Sequence, residues 1–186
     1  MIITDGRMLE KLERMRAQPF IPWIKWDLVA MLAEIRREHF PELATEVDTW
    51  FVRQPTLACI TTREGSPQAT IYIHNILNHP DTPREVFSMI LKHELLHLLI
   101  PPMEVDGKRV QHPEEFWEAE HRIAPERQDG WLWIRVTFWH YLRERPKLEC
   151  IQVKRGWEAR WSEPHMSVEE AKRLFGRLPV REAEVC

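Results

Sequence analysis

Residues 82–102 read TPREVFSMILKHELLHLLIPP, and this stretch decides the fold. Thr82 is the predicted N-cap, with Pro83 at the first helical position and Glu85 placed to complete a capping box. Two prolines end the pattern at 101–102. Projected at 100° per residue, the helix keeps only a narrow polar arc, formed by Glu85, Ser88 and Lys92. Apolar residues cover most of the remaining surface, which predicts a nearly buried helix at the centre of the molecule.

Within this helix lies an HExxH motif, His93-Glu94-Leu95-Leu96-His97. Four helical residues advance by about 6 Å and turn by about 40°, so both imidazoles project from one face toward a common point. Glu94 lies beside the pair, where its carboxylate can accept a proton from a metal-held water without ligating the metal. The alternative is a pair of core histidines bonded to backbone carbonyls, with Glu94 in a local ion pair.

A catalytic zinc ion requires a third protein ligand and an open coordination position. His112 is the leading candidate, because it begins the next predicted helix in the string HPEEFW. Glu115 and Glu118 are rival ligands, since a carboxylate on that helix would serve zinc equally well. A solvent-facing histidine at a helix start is the remaining interpretation of His112.

The elements around the motif predict an α+β fold. Two helices open the chain over about 5–17 and 28–40, and three short strands, VDTWFV, TLACITT and QATIYIH, follow, the last two as a hairpin. After the central helix, further helices are predicted over 113–123 and from Asp129 to about Arg145. We expect helices packed on a small three-stranded sheet in a domain of residues 1–146. Residues 147–186 form an appendage on that domain, a strand and a late helix that opens with a capping box at Ser167 and Glu170. The predicted anchors of this appendage are Trp157, Trp161, Leu174 and Phe175.

Composition excludes several classes of function. A hydrophobic fraction of 44% with 30% charged residues is typical of a globular chain, and the net charge of −3 gives no reason to expect nucleic acid or an anionic membrane as partner. No apolar stretch reaches the roughly 20 residues of a membrane span. The charged N-terminus and three widely spaced cysteines predict a cytoplasmic protein with reduced thiols.

The motifs resemble those of the minimal zincins, small HExxH zinc peptidases, and most closely their SprT-like and YgjP-like members. The resemblance covers about Asp27 to Ile123 and depends on HELLH and on HPEEFW, a histidine followed by a helix that contains Phe116. It implies Zn²⁺ as cofactor, His93, His97 and His112 as its ligands, and peptide hydrolysis with Glu94 as general base. The alternatives are a non-catalytic metal-binding interaction module and a zinc hydrolase that acts on a non-peptide bond.

Three further expectations concern substrate and partners. A peptide or protein substrate is expected to add as an extra strand along Gln68 to His74. His74 either faces the site or lies on the sheet surface, and His140 with Tyr141 could donate to a developing oxyanion or belong to the core. Residues 147–186 have a charge sum of only +1 and no paired cysteine or histidine ligands. We therefore expect no second zinc and no DNA binding there.

Overall fold

The structure is a computed structural model that describes residues 2–3, 6–16, 23–62, 66–105, 107–145 and 150–176. Its helices are α1 (Gly6–Arg16), α2 (Leu28–His39), α3 (Arg84–Leu99), α4 (Glu114–Ile123), α5 (Arg127–Phe138), α6 (Glu158–Trp161) and α7 (Val168–Phe175). Its strands are β1 (Ile2–Ile3), β2 (Glu46–Val52), β3 (Ala58–Thr62), β4 (Gln68–His74), β5 (Met103–Val105), β6 (Lys108–Val110), β7 (Leu142–Arg145) and β8 (Cys150–Val153). The predicted α+β class is confirmed.

The main sheet has the strand order β1-β3-β4-β2, one strand more than predicted. Strands β3 and β4 are antiparallel, as expected for a hairpin, whereas β2 runs parallel to β4 and β1 runs parallel to β3. Strand β4 is paired with β2 along its whole length and with β3 from Ala69 to Ile73. The prediction that a substrate adds along Gln68 to His74 is therefore wrong, because the backbone groups on both sides of β4 are already paired.

Helix α3 lies at the centre, as its apolar pattern predicts, and packs against α2, α4, α5 and β3. Two residues of the polar arc, Ser88 and Lys92, are themselves buried. Both contact Glu126, Lys92 at an Nζ to Oε1 distance of 2.8 Å. The predicted Thr82 cap is wrong. The Thr82 hydroxyl instead donates to the carbonyl of Leu77 at 2.8 Å, and no side chain caps the first turn of α3.

Helix α5 ends at Phe138, about seven residues before the predicted end. Residues 142–145 form β7, which pairs antiparallel with β8, so this pairing joins residues on both sides of the boundary predicted between 146 and 147. Ile151, Trp157 and Val168 belong to the main core cluster.

Helix α7 begins as predicted, with the Ser167 hydroxyl accepting from the Glu170 amide at 3.1 Å. Leu174 and Phe175 are wrong as anchors, because both are about half exposed and the buried face of α7 carries Val168 and Ala171 instead. None of the helices in the described ranges is long and apolar enough to cross a membrane.

Candidate metal centre

His93, His97 and His112 lie together in the interior, with exposed fractions of 0%, 0% and 4%. Their ring centroids form a nearly equilateral triangle, with separations of 4.9 Å for His93 and His97 and 5.0 Å for each of the other two pairs. One nitrogen of each ring lies within 4.8 Å of the others. Three imidazoles in this arrangement could hold a metal ion.

The β5–β6 hairpin brings His112 back to the helix that carries the other two histidines. The chain leaves α3 at Ile100, and Met103 in β5 then pairs with Val110 in β6. This pairing brings the end of β6 back close to the end of α3. Gly107 at the turn has a φ of 71°, a conformation that glycine adopts without steric cost. His112 then lies between the hairpin and the first turn of α4.

Phe116 packs against all three imidazoles, with centroid separations of 5.0 Å from His93, 4.7 Å from His97 and 4.8 Å from His112. It is fully buried in the first turn of α4. The phenyl ring therefore forms one wall of the centre and limits the positions that the imidazoles can adopt. This contact gives a physical reason for a phenylalanine four residues after His112.

Glu120 is a site residue that was not predicted from the sequence. Its Oε1 lies 2.7 Å from Nδ1 of His93, and its Oε2 lies 2.8 Å from Nε of Arg127, whose guanidinium carbon is 5.3 Å from the centroid of the Trp117 ring. With the carboxylate as acceptor, Nδ1 of His93 carries the hydrogen and Nε2 is the nitrogen available to a metal. The sequence held one indication of this role: Glu120 follows Phe116 by four residues, so both lie on the same face of α4, which packs inward.

Burial governs the charge states at the centre. It lowers the pKa of each of the three histidines, which keeps the imidazoles in the neutral form that ligates metals. It raises the pKa of Glu120 to about 7, and Arg127 acts in the opposite direction. Glu120 thus joins His93 to the guanidinium of Arg127 within the buried centre.

Glu94 is fully buried next to the histidines, and burial raises the pKa of its carboxyl group. A backbone hydrogen bond from Ile60 reaches this carboxylate, so Glu94 connects the central helix to strand β3. The rival ligands Glu115 and Glu118 are both exposed and lie outside the three-histidine group. Their exposure follows from α4, because the face that carries Phe116 and Glu120 is the one directed inward.

The weaker candidates have other roles. His74 is buried, accepts a hydrogen bond from the Ile76 amide at 2.9 Å and packs against Trp157, and burial lowers its pKa to about 3. It therefore stabilises the turn after β4 and does not lie on the sheet surface. His140 is exposed, and Tyr141 packs against the main core cluster.

The three imidazoles could serve as the donor set for a metal ion. Nε2 of His93 and both ring nitrogens of His97 are buried and have no hydrogen-bond partner among the described residues. Such atoms cost roughly 1 to 3 kcal/mol each when left unsatisfied, and a metal ion would satisfy the ligating ones. The alternative of two core histidines bonded to backbone carbonyls therefore has no support at His97.

Comparisons with protein families, with curated proteins and with solved structures found no match for this chain. Any assignment of function therefore depends on the chemistry of the site.

Proposed function

We propose that the protein is a zinc-dependent metallopeptidase of the minimal zincin type, with His93, His97 and His112 as ligands and Glu94 as general base. The observation that carries the proposal is the convergence of three buried neutral imidazoles beside a buried carboxylate that does not belong to the ligand group. Three nitrogen ligands and one open position are typical of catalytic zinc, whereas structural zinc is closed by four protein ligands.

Zinc bound there would supply Lewis-acid polarisation of a carbonyl group and would acidify a water molecule. Glu94 takes the proton from the attacking water and returns it to the departing amine. Burial raises the pKa of Glu94, which favours the protonated form that this group passes through after it accepts a proton. Glu120 orients His93 through Nδ1 and so keeps Nε2 directed toward the other two ligands.

The substitution Glu94→Gln tests this proposal. The amide keeps the size of the side chain but is not basic, so we expect full zinc content with loss of peptide hydrolysis. Zinc is measured by elemental analysis of the purified protein, and hydrolysis by mass spectrometry of a proteome-derived peptide library. Glu115→Gln is the matched control, because this exposed glutamate lies outside the ligand group and its loss leaves both readouts unchanged.

Three results would contradict the proposal in different ways. Equal cleavage by Glu94→Gln and the unsubstituted protein removes Glu94 from the role of base. Loss of zinc from Glu94→Gln assigns it a structural role. A zinc-loaded protein that cleaves no peptide favours the non-catalytic module or a hydrolase of non-peptide bonds.

A further inference from the structure

We infer that strand β1 competes within the molecule for the strand edge on which a peptide substrate would pair, namely the outer edge of β3. The inference rests on the proposed function. Its starting observation is that β1 runs parallel to β3, with Ile2 opposite Ile60 and Ile3 opposite Thr61. In the sheet order β1-β3-β4-β2, this pairing covers the side of β3 that faces away from β4.

Strand β3 connects the main sheet to Glu94. It packs against the HExxH helix, and Ile60 in its middle provides the backbone hydrogen bond to Glu94. A peptide bond cleaved with Glu94 as base must lie close to that carboxylate. An extended peptide reaches this position by pairing with β3, since backbone pairing holds a strand whatever its side chains.

The residue opposite Ile60 in the present pairing is Ile2. Strand β1 therefore pairs with β3 at the residue whose backbone contacts Glu94. The backbone groups of β3 that pair with β1 cannot pair with a peptide at the same time. Substrate binding along this edge thus requires β1 to leave it.

Two features make this exchange feasible. The described pairing of β1 spans only two residues, so few hydrogen bonds are lost when it leaves. Helix α1 has a separate attachment, because Leu12 is 1% exposed and packs with Val52, Cys59 and Tyr72 in a second core cluster. Ile60 and Ile71 belong to the main cluster, so alternation along β3 and β4 places this second cluster on the other face of the sheet.

The test uses the zinc-loaded full chain with the double substitution Ile2→Pro/Ile3→Pro. Proline has no backbone N–H to donate, so the pairing with β3 is weakened. Ile2→Val/Ile3→Val is the matched control, because valine is compatible with a strand. Two probes are compared: acetyl-trialanine hydroxamate, which joins an extended peptide to a zinc-binding group, and acetohydroxamate, which has that group alone.

We expect the proline variant to bind the peptide hydroxamate roughly fivefold more tightly than the valine variant, the effect of about one net hydrogen bond. Affinity for acetohydroxamate stays equal in the two variants. Amide hydrogen exchange over residues 58–62 is faster in the proline variant and slows again when the peptide hydroxamate binds.

Equal affinity of both variants for the peptide hydroxamate, or unchanged exchange over 58–62, overturns the inference. An equal gain for both probes also overturns it, because the substitutions then act on the metal centre and not on the strand edge. Failure of acetohydroxamate to bind the zinc-loaded protein contradicts the proposed function itself. Neither binding nor exchange requires turnover, so the two failures are distinguishable.

Discussion

The substitution Glu120→Gln is the sharpest test of how the protein organises its metal centre. Glu120 is 1% exposed and accepts from Nδ1 of His93 at 2.7 Å, so the amide keeps the shape and an acceptor but loses the charge. A hydrogen bond to a charged group contributes about 1.5 to 3 kcal/mol and a neutral one about 0.5 to 1.5 kcal/mol. The difference of about 1 to 1.5 kcal/mol predicts a zinc dissociation constant raised roughly tenfold. This is at the lower end of the loss of metal affinity that follows when the hydrogen-bond partner of a metal ligand is mutated.

The same substitution also leaves Arg127 without its carboxylate. Arg127 is 4% exposed, and removal of one partner of a buried ion pair costs about 3 to 5 kcal/mol of folding stability. The double variant Glu120→Gln/Arg127→Met also removes the positive charge of Arg127, which is buried and unpaired in the single variant. We expect the double variant to recover part of the folding stability but none of the zinc affinity. This result would show that Glu120 acts on zinc binding by orienting His93 and not by stabilising the fold.

Zinc affinity is measured by competition with a chromophoric chelator, and stability by urea unfolding of the metal-free protein. Glu118→Gln serves as the control, because it makes the same chemical change at an exposed position of α4. A zinc affinity of Glu120→Gln within twofold of the Glu118→Gln value would refute the reasoning. Recovery of affinity together with stability in the double variant would show that Glu120 acts only through the fold.

Three other predictions concern the centre and its support. Zinc at 100 times its dissociation constant is expected to raise the free energy of unfolding by about 2.7 kcal/mol, and His97→Ala to abolish this gain, as followed by urea unfolding with and without zinc. Phe116→Ala is expected to lower the stability of the metal-free protein by about 3 to 5 kcal/mol, because the ring packs against all three imidazoles; an unchanged urea midpoint would contradict this. Gly130→Ala would place a Cβ 2.6 Å from Sδ of Met89, at a cost of about 1 to 3 kcal/mol in thermal or urea unfolding, whereas Gly6→Ala has open space and serves as the control.

Local sequence patterns predicted the features that depend on neighbouring residues. The apolar periodicity of residues 84–99 predicted a buried central helix, and the four-residue spacing of His93 and His97 placed both imidazoles on one face. The Ser167 cap of α7 was likewise predictable, since the hydroxyl and the amide that it accepts from are three residues apart. Each of these features is set by helix geometry within one or two turns.

Tertiary structure alone decided which distant residues meet. The β5–β6 hairpin returns His112 to α3, and the inward face of α4 places Glu120 against His93 while Glu115 and Glu118 face solvent. The sheet order was also beyond local reasoning, since the spacing of strands along the chain does not specify that β1 pairs with β3 or that β4 lies inside the sheet. Such contacts depend on which apolar faces are buried together and on the closure of long loops. A local pattern of residues determines neither of these.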